Sequence, residues 1–188
     1  LALPAAARAK TYEIDPVHST VMFKIKHLVS KVSGRFDRFE GAIDYEKGNP
    51  KAWGAQAAIE SASINTNNGK RDEHLRSDHF FDAERCPKLA FKSLKVTDAE
   101  GDKAKLHGEL TMRCVTKPVV LDVEVLGEST DGRGDAMLGV SARATINRQD
   151  FGVSWNKTLD AGGFLIGDEV EITIDIEASP KAKKKPAK

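Results

Sequence analysis

The sequence predicts an all-β domain, an eight-stranded antiparallel barrel with one short helix at its mouth. Three observations carry this. Apolar residues alternate with polar ones in eight separate runs, turn-forming clusters separate many of the runs, and a single segment reads as a helix. Alternation with period two marks strands that bury one face, because successive side chains point to opposite sides of a pleated backbone.

The first run is Val21, Phe23 and Ile25, alternating with Met22, Lys24 and Lys26. A turn is expected over residues 31–34, followed by a second strand carrying Phe36, Phe39, Ile43 and Tyr45; the change of parity between Phe36 and Phe39 predicts a bulge. Trp53, Ala55, Ala57 and Ile59 mark the third strand. Leu89, Phe91, Leu94 and Val96 mark the fourth, again with a parity change. The second half is more regular. Ala104, Leu106, Gly108, Leu110 and Met112 are followed by Val119, Leu121, Val123 and Val125. Leu138, Val140, Ala142, Ala144 and Ile146 come next, and Val170, Ile172, Ile174 and Ile176 end the series. Turn residues cluster at 47–50, 98–102 and 131–135.

Eight strands that are apolar on one face only are satisfied by closing the sheet on itself, which removes its edges. A two-sheet sandwich is the alternative. Small inward residues (Ala55, Ala57, Ala104, Gly108, Ala142, Ala144) leave room for a cavity, unless a helix packs against them. Asn67 or Asn68 is placed to cap a helix near residues 70–78, and that polar segment runs into Phe80 and Phe81. A polar helix ending in two aromatics suits a lid. Residues 147–168 form a second long irregular stretch, holding Phe151, Trp155, Leu159 and Phe164 among glycines.

Charge is unevenly spread. The ends hold seven of the 29 basic residues and none of the 28 acidic ones, so residues 11–180 carry 22 basic against 28 acidic residues, a net of −6. Such a body repels phosphate backbones, which argues against nucleic acid as a partner. No apolar run is long enough to span a bilayer as a helix. Residues 1–9, ending Ala7-Arg8-Ala9, fit the end of a signal peptide, so export to a bacterial periplasm is expected. A disordered Ala-rich leader is the alternative. The domain then covers residues 10–180, and the Lys-rich tail 181–188 is expected to be disordered.

Ordered segments along the chain resemble the YceI-like family of lipid-binding bacterial proteins. They include Tyr12-Glu13-Ile14-Asp15-Pro16-Val17-His18-Ser19, Gly34-Arg35-Phe36-Asp37, Ser61-Ala62-Ser63-Ile64-Asn65, Arg71-Asp72-Glu73-His74-Leu75, Phe80-Phe81-Asp82 and Asn147-Arg148-Gln149-Asp150-Phe151-Gly152. The resemblance implies an extended lipocalin-like barrel, often dimeric and exported. Its interior would hold a polyisoprenoid, a quinone or a fatty-acid derivative, with no cofactor or metal required. His79, where the family more often has Asp, and Arg113-Cys114, in place of a His/Asn-Gly pair, depart from the pattern.

On this basis Phe23, Phe36, Phe39, Trp53, Phe91, Leu110, Trp155 and Phe164 are the expected lining, with Phe80 and Phe81 gating access. His18, Arg71, Asp72 and His74 are the candidates for the ligand's polar head, an ordinary surface ion pair being the alternative for Arg71 and Asp72. If Val96 opposes Ala104 across a hairpin, facing residue numbers sum to about 200, which sets Cys86 nearly opposite Cys114. A disulfide and two separate thiols both remain open. His74 and His79 lack the four-residue spacing of a helical metal pair, and Ser154 lacks a nucleophile elbow. No catalytic residue is therefore assigned. The rivals to a lipid carrier or store are a scavenger of hydrophobic toxins or antibiotics, an enzyme acting on isoprenoids or quinones, and a solid-cored surface module.

Overall fold

A computed structural model describes residues 9–180 except Arg133 and Ala161. The expected leader (all but Ala9) and the Lys-rich tail lie outside the described residues. Eleven strands form one antiparallel sheet, yet they fill only eight positions around it. Three positions are occupied by broken strands: β1 (Lys10–Ile14) with β2 (Thr20–His27), β3 (Ser30–Phe36) with β4 (Phe39–Tyr45), and β5 (Gly54–Glu60) with β6 (Ile64–Asn65). The other five are continuous: β7 (Lys88–Glu100), β8 (Lys103–Met112), β9 (Val115–Thr130), β10 (Ala136–Asn147) and β11 (Ile166–Pro180).

Closure is achieved at β11. One edge pairs with β10 along most of its length; the other pairs with β2 near its start (Val170 with Ile25) and with β1 at its end (Ala178 with Ile14). The sheet is thus a closed barrel and not a sandwich. After a last backbone bond from the Asp15 N–H to the Glu177 carbonyl at 2.9 Å, residues 16–19 leave the ladder, and side chains replace part of what is lost. The Ser19 hydroxyl donates to the Glu177 carbonyl at 3.2 Å and accepts from the Glu177 N–H at 3.0 Å.

Several local expectations are corrected. Residues 31–34 are not a turn but part of β3; the chain reverses at Leu28 and Val29, with Leu28 at φ 52°. Gly34 serves close packing instead, since a Cβ there would lie 2.3 Å from the Phe23 ring. Phe36 and Phe39 do not flank a bulge within one strand. The chain steps between them, so that β3 pairs with β2 and β6 while β4 pairs with β1 and β5. In β7 the expected bulge is present, the register shifting between Ser93 and Lys95, but it turns Leu94 outward, 63% exposed, where an inward residue is expected. Gly108 leaves no free volume, because the Phe91 ring lies where its Cβ would be, 2.5 Å away.

Buried side chains form one cluster at each end of the barrel and a third along the wall of β8, β9 and β10, with Ala104, Leu106, Leu121, Val123 and Ala142. At the floor Tyr12, Tyr45, Val125, Leu138, Ile176 and Ala178 form one buried cluster. The Tyr12 and Tyr45 rings meet edge to face with centroids 6.5 Å apart, and the Tyr12 hydroxyl donates to Glu128 at 2.8 Å. Burial, followed by the bond to the Glu128 carboxylate, pushes the Tyr12 phenol from its ordinary value of 10.0 up to about 12. Burial also raises the Tyr45 phenol.

A raised phenol pKa stabilises the fold below the unfolded value and loses that contribution as pH climbs through the folded value. Stability should therefore fall between pH 10 and about 12. Tyr12→Phe should lower stability at neutral pH by about 1 kcal/mol and make the alkaline loss shallower. Denaturant unfolding across this range checks it; parallel alkaline losses in the two proteins would remove Tyr12 from the account.

Candidate ligand-binding site

Between floor and mouth lies a cavity of about 520 Å³. Its wall is apolar along the strands because the inward positions carry Val, Ile, Leu, Ala and aromatic residues. Ala55, Ala57, Ala142 and Ala144 face it, and their small size leaves the space open. Tyr45 and Trp53 line the floor end, their rings 5.5 Å apart, with the Trp53 indole N–H donating to the Glu46 carbonyl at 2.9 Å. Polar lining residues gather mainly at the other end: His27, Thr66, Lys70, Arg71, His74 and Arg148.

The mouth is built on helix α1 (Gly69–Arg76). Asn68 caps it, its side chain accepting from the Arg71 N–H at 3.0 Å, and the helix stops at Ser77, whose backbone is extended. Its polar residues bind it to the chain before it. Arg71 Nε donates to the Thr66 hydroxyl at 2.7 Å and Nη2 to the Thr66 carbonyl at 2.8 Å. Asp72, 6% exposed, accepts from the Thr66 N–H at 2.9 Å and from its hydroxyl at 2.5 Å. Arg76 donates to the carbonyls of Ala62 and Ile64. A helix with so little apolar surface is held by these bonds and by Leu75, which packs against the upper core.

Beyond the helix an aromatic cluster closes over the cavity. His74 packs edge-on against Phe80 and Trp155, at 5.0 and 4.8 Å between centroids, and Phe81 meets Phe36 at 5.7 Å. His74 Nε2 and His79 Nδ1 are hydrogen-bonded at 2.9 Å. Trp155 is held from the segment that follows β10. There Arg148, 2% exposed, donates to the carbonyls of Val153, Trp155 and Gly167 and to the carboxylate of Asp168. Burial lowers the Arg148 pKa from its ordinary value, and Asp168 offsets part of that.

Cys86 and Cys114 are joined in a disulfide with Cα atoms 5.5 Å apart. Cys114 and Arg113 form the two-residue turn between β8 and β9, at φ 61° and 51°. Residues other than Gly or Asn adopt that left-handed conformation at a cost of about 1 kcal/mol each. The bridge holds the turn, and so does Arg113, which donates to the carbonyls of Gly152 at 2.7 Å and Asp78 at 2.8 Å. The pair that departs from the family pattern thus ties together both segments of the mouth.

Of the residues expected to line or gate the cavity, Phe23, Phe36, Phe39, Trp53, Phe80, Phe81, Phe91, Leu110 and Trp155 do face it. Phe164 does not. It pairs with Thr158 in a small hairpin and is 66% exposed. Of the head-group candidates, Arg71 and His74 lie at the mouth, whereas Asp72 is buried beneath the helix as its anchor. His18 is not at the mouth at all. It sits on the outer surface at the break between β1 and β2, 2.7 Å from Asp15 and 3.9 Å from Glu177. The bond to Asp15 raises the His18 pKa. The residues missed include His27, Thr66 and Lys70 at the mouth, the floor around Tyr12, and Arg148. The alternation of Tyr12 and Ile14 with Thr11 and Glu13 already signalled β1 and the floor, while Arg148 stood in a segment that carries the family resemblance without any pattern that gives it a role.

The YceI-like domain model matches residues 12–178. The chain belongs to the YceI-like family. A UPF0312 protein of Staphylococcus aureus is 36% identical over 170 residues, covering 89% of this chain and 96% of the relative. The YceI protein of Campylobacter jejuni is 32% identical with a TM-score of 0.70, covering 83% of this chain and 90% of that one. A polyisoprenoid-binding domain from Saccharophagus degradans, implicated in plant cell wall breakdown, shares the fold at 16% identity with a TM-score of 0.66, covering 90% and 98%.

Arg148→Ala should free the carbonyls of Val153 and Trp155 and loosen this part of the YceI-like mouth. The expected loss is about 2–3 kcal/mol in denaturant unfolding, with a red shift of Trp155 emission in the native state. Unchanged stability and emission would deny Arg148 this role.

Proposed function

We propose that the chain binds one long apolar lipid in the barrel, with its tail toward the floor and its polar head at the mouth, and carries or stores it without chemical change. A polyisoprenoid, an isoprenoid quinone and a fatty-acid derivative share this shape. The observation that carries the proposal is the cavity itself: about 520 Å³, apolar along its length, with most of its polar groups at one end. That volume lies within the range of small-molecule sites. Each buried methylene contributes about 0.8 kcal/mol, so ten of them supply about 8 kcal/mol. The relative from Saccharophagus degradans, described as polyisoprenoid-binding, agrees with this ligand class.

Binding without turnover is favoured by what the polar mouth residues already do. Arg71 and Asp72 are committed to Thr66, and Arg148 to backbone carbonyls and Asp168. Both cysteines are in the bridge, which leaves no thiol as a nucleophile. The same bridge favours an oxidising compartment, such as a bacterial periplasm, as the place of action.

The two tryptophans stand at opposite ends of the cavity, which makes ligand orientation measurable. Stearic acids carrying a nitroxide near the methyl end should quench Trp53 in the Trp155→Phe variant. Those labelled near the carboxylate should quench Trp155 in the Trp53→Phe variant. Ala142→Phe, which fills the middle of the cavity, should weaken binding about tenfold or more. Absence of saturable quenching, or quenching indifferent to label position, would sink the proposal.

A further inference from the structure

Beside the mouth the barrel carries apolar side chains that line nothing. Leu28 and Val29 form the tip of the β2–β3 hairpin, Leu28 43% exposed and Val29 wholly so. The tip adjoins the hairpin that holds Phe164: the Leu28 N–H donates to the Leu165 carbonyl at 3.0 Å, and Phe164 is 66% exposed. Leu28 keeps a bulky apolar side chain at positive φ, where Asn or Gly would adopt the backbone with less strain. A turn needed only to reverse the chain has no use for that combination.

Cations surround these tips. Lys26 and Lys31 face each other across the hairpin next to Leu28 and Val29, and the Lys157 carbonyl accepts from the Leu165 N–H. Lys70 and Arg71 border the mouth itself. The opposing charges are Glu171, which pairs with Lys31, Asp168, which pairs with Arg148, the exposed Glu169 beside them, and the exposed Asp160 at the second hairpin's tip, with Glu73 and Asp78 exposed on the helix side of the mouth. The lysines next to the apolar tips stand on a body whose residues 11–180 carry a net charge of −6.

We propose that the mouth end docks on the surface of an anionic lipid bilayer. Leu28, Val29 and Phe164 enter the boundary between headgroups and acyl chains, while the lysines meet the lipid phosphates. Protruding apolar tips among cations fit that boundary, where apolar insertion and attraction to anionic headgroups act together. A second copy of the chain is disfavoured, since a twofold contact would set the same cations against each other. The docking rests on the reading of the cavity as a lipid site: it would open the cavity onto the phase from which a lipid is drawn.

Flotation of the full chain with vesicles tests this. Vesicles of phosphatidylglycerol and phosphatidylethanolamine should bind the protein, less so as salt rises, and phosphatidylcholine vesicles should not. The double variant Val29→Asp, Phe164→Ser should bind about tenfold less or weaker, with its uptake of nitroxide-labelled stearate in solution unchanged. The tail 181–188 is present in both proteins, so their difference reports the hairpin tips. Equal binding by the variant, equal binding to both vesicle types, or no binding by the natural chain would overturn the docking. So would a dimer in size-exclusion chromatography that the variant dissolves. Loss of vesicle binding in the variant while neither protein takes up stearate would uphold the docking and remove the cavity reading instead.

Discussion

Backbone hydrogen bonds between the last strand and the first close this barrel, and the cavity exists only because they do. A strand with an open edge exposes unpaired donors and acceptors, and an open sheet would expose its apolar face to water. β11 meets both needs by pairing with β10 on one side and with β1 and β2 on the other. The break between β1 and β2 interrupts this seam, and it is there that Ser19, Asp15 and His18 supply polar contacts in place of the ladder. His18 therefore belongs to closure of the wall.

Closure alone would give a solid core. The interior stays open because alanines at 55, 57, 142 and 144 face the cavity, while aromatic side chains gather at the floor and at the mouth. Forgone dispersion contacts make such a space unfavourable when empty and favourable when an apolar chain fills it. The ends are secured differently. The floor is a packed cluster around Tyr12 and Leu138, whereas the mouth is held by charged groups on backbone carbonyls and by one disulfide. Polar bonds near water break more easily than packed aromatics, so the mouth is the end suited to opening.

The eight positions of the barrel could be read from alternation because each strand has one dry and one wet face. The same rule failed where a single residue changes the count: Leu94 at its bulge, and the step between Phe36 and Phe39. Across the β7–β8 hairpin Val96 opposes Leu106 and not the expected Ala104, but beyond the bulge Ala90 opposes Thr111, close enough to the expected register to bring Cys86 opposite Cys114. For the site, residues on strands fell where alternation put them, and Phe80 and Phe81 where their adjacency put them. Residues on irregular segments did not follow. Phe164 looked like core by composition, but a local hairpin turns it out. Arg148 organises the mouth through bonds to distant carbonyls, and no periodic pattern encodes those.

Wall, floor and mouth together describe a container whose shape calls for a lipid. Native mass spectrometry of the protein purified without added lipid, followed by solvent extraction and analysis of the extract, tests that most directly. The expected result is an added mass, one molecule per chain, that extracts as a long-chain isoprenoid, quinone or acyl compound. A protein that emerges at its bare mass, and takes up neither prenyl nor acyl chains when they are supplied, would contradict it.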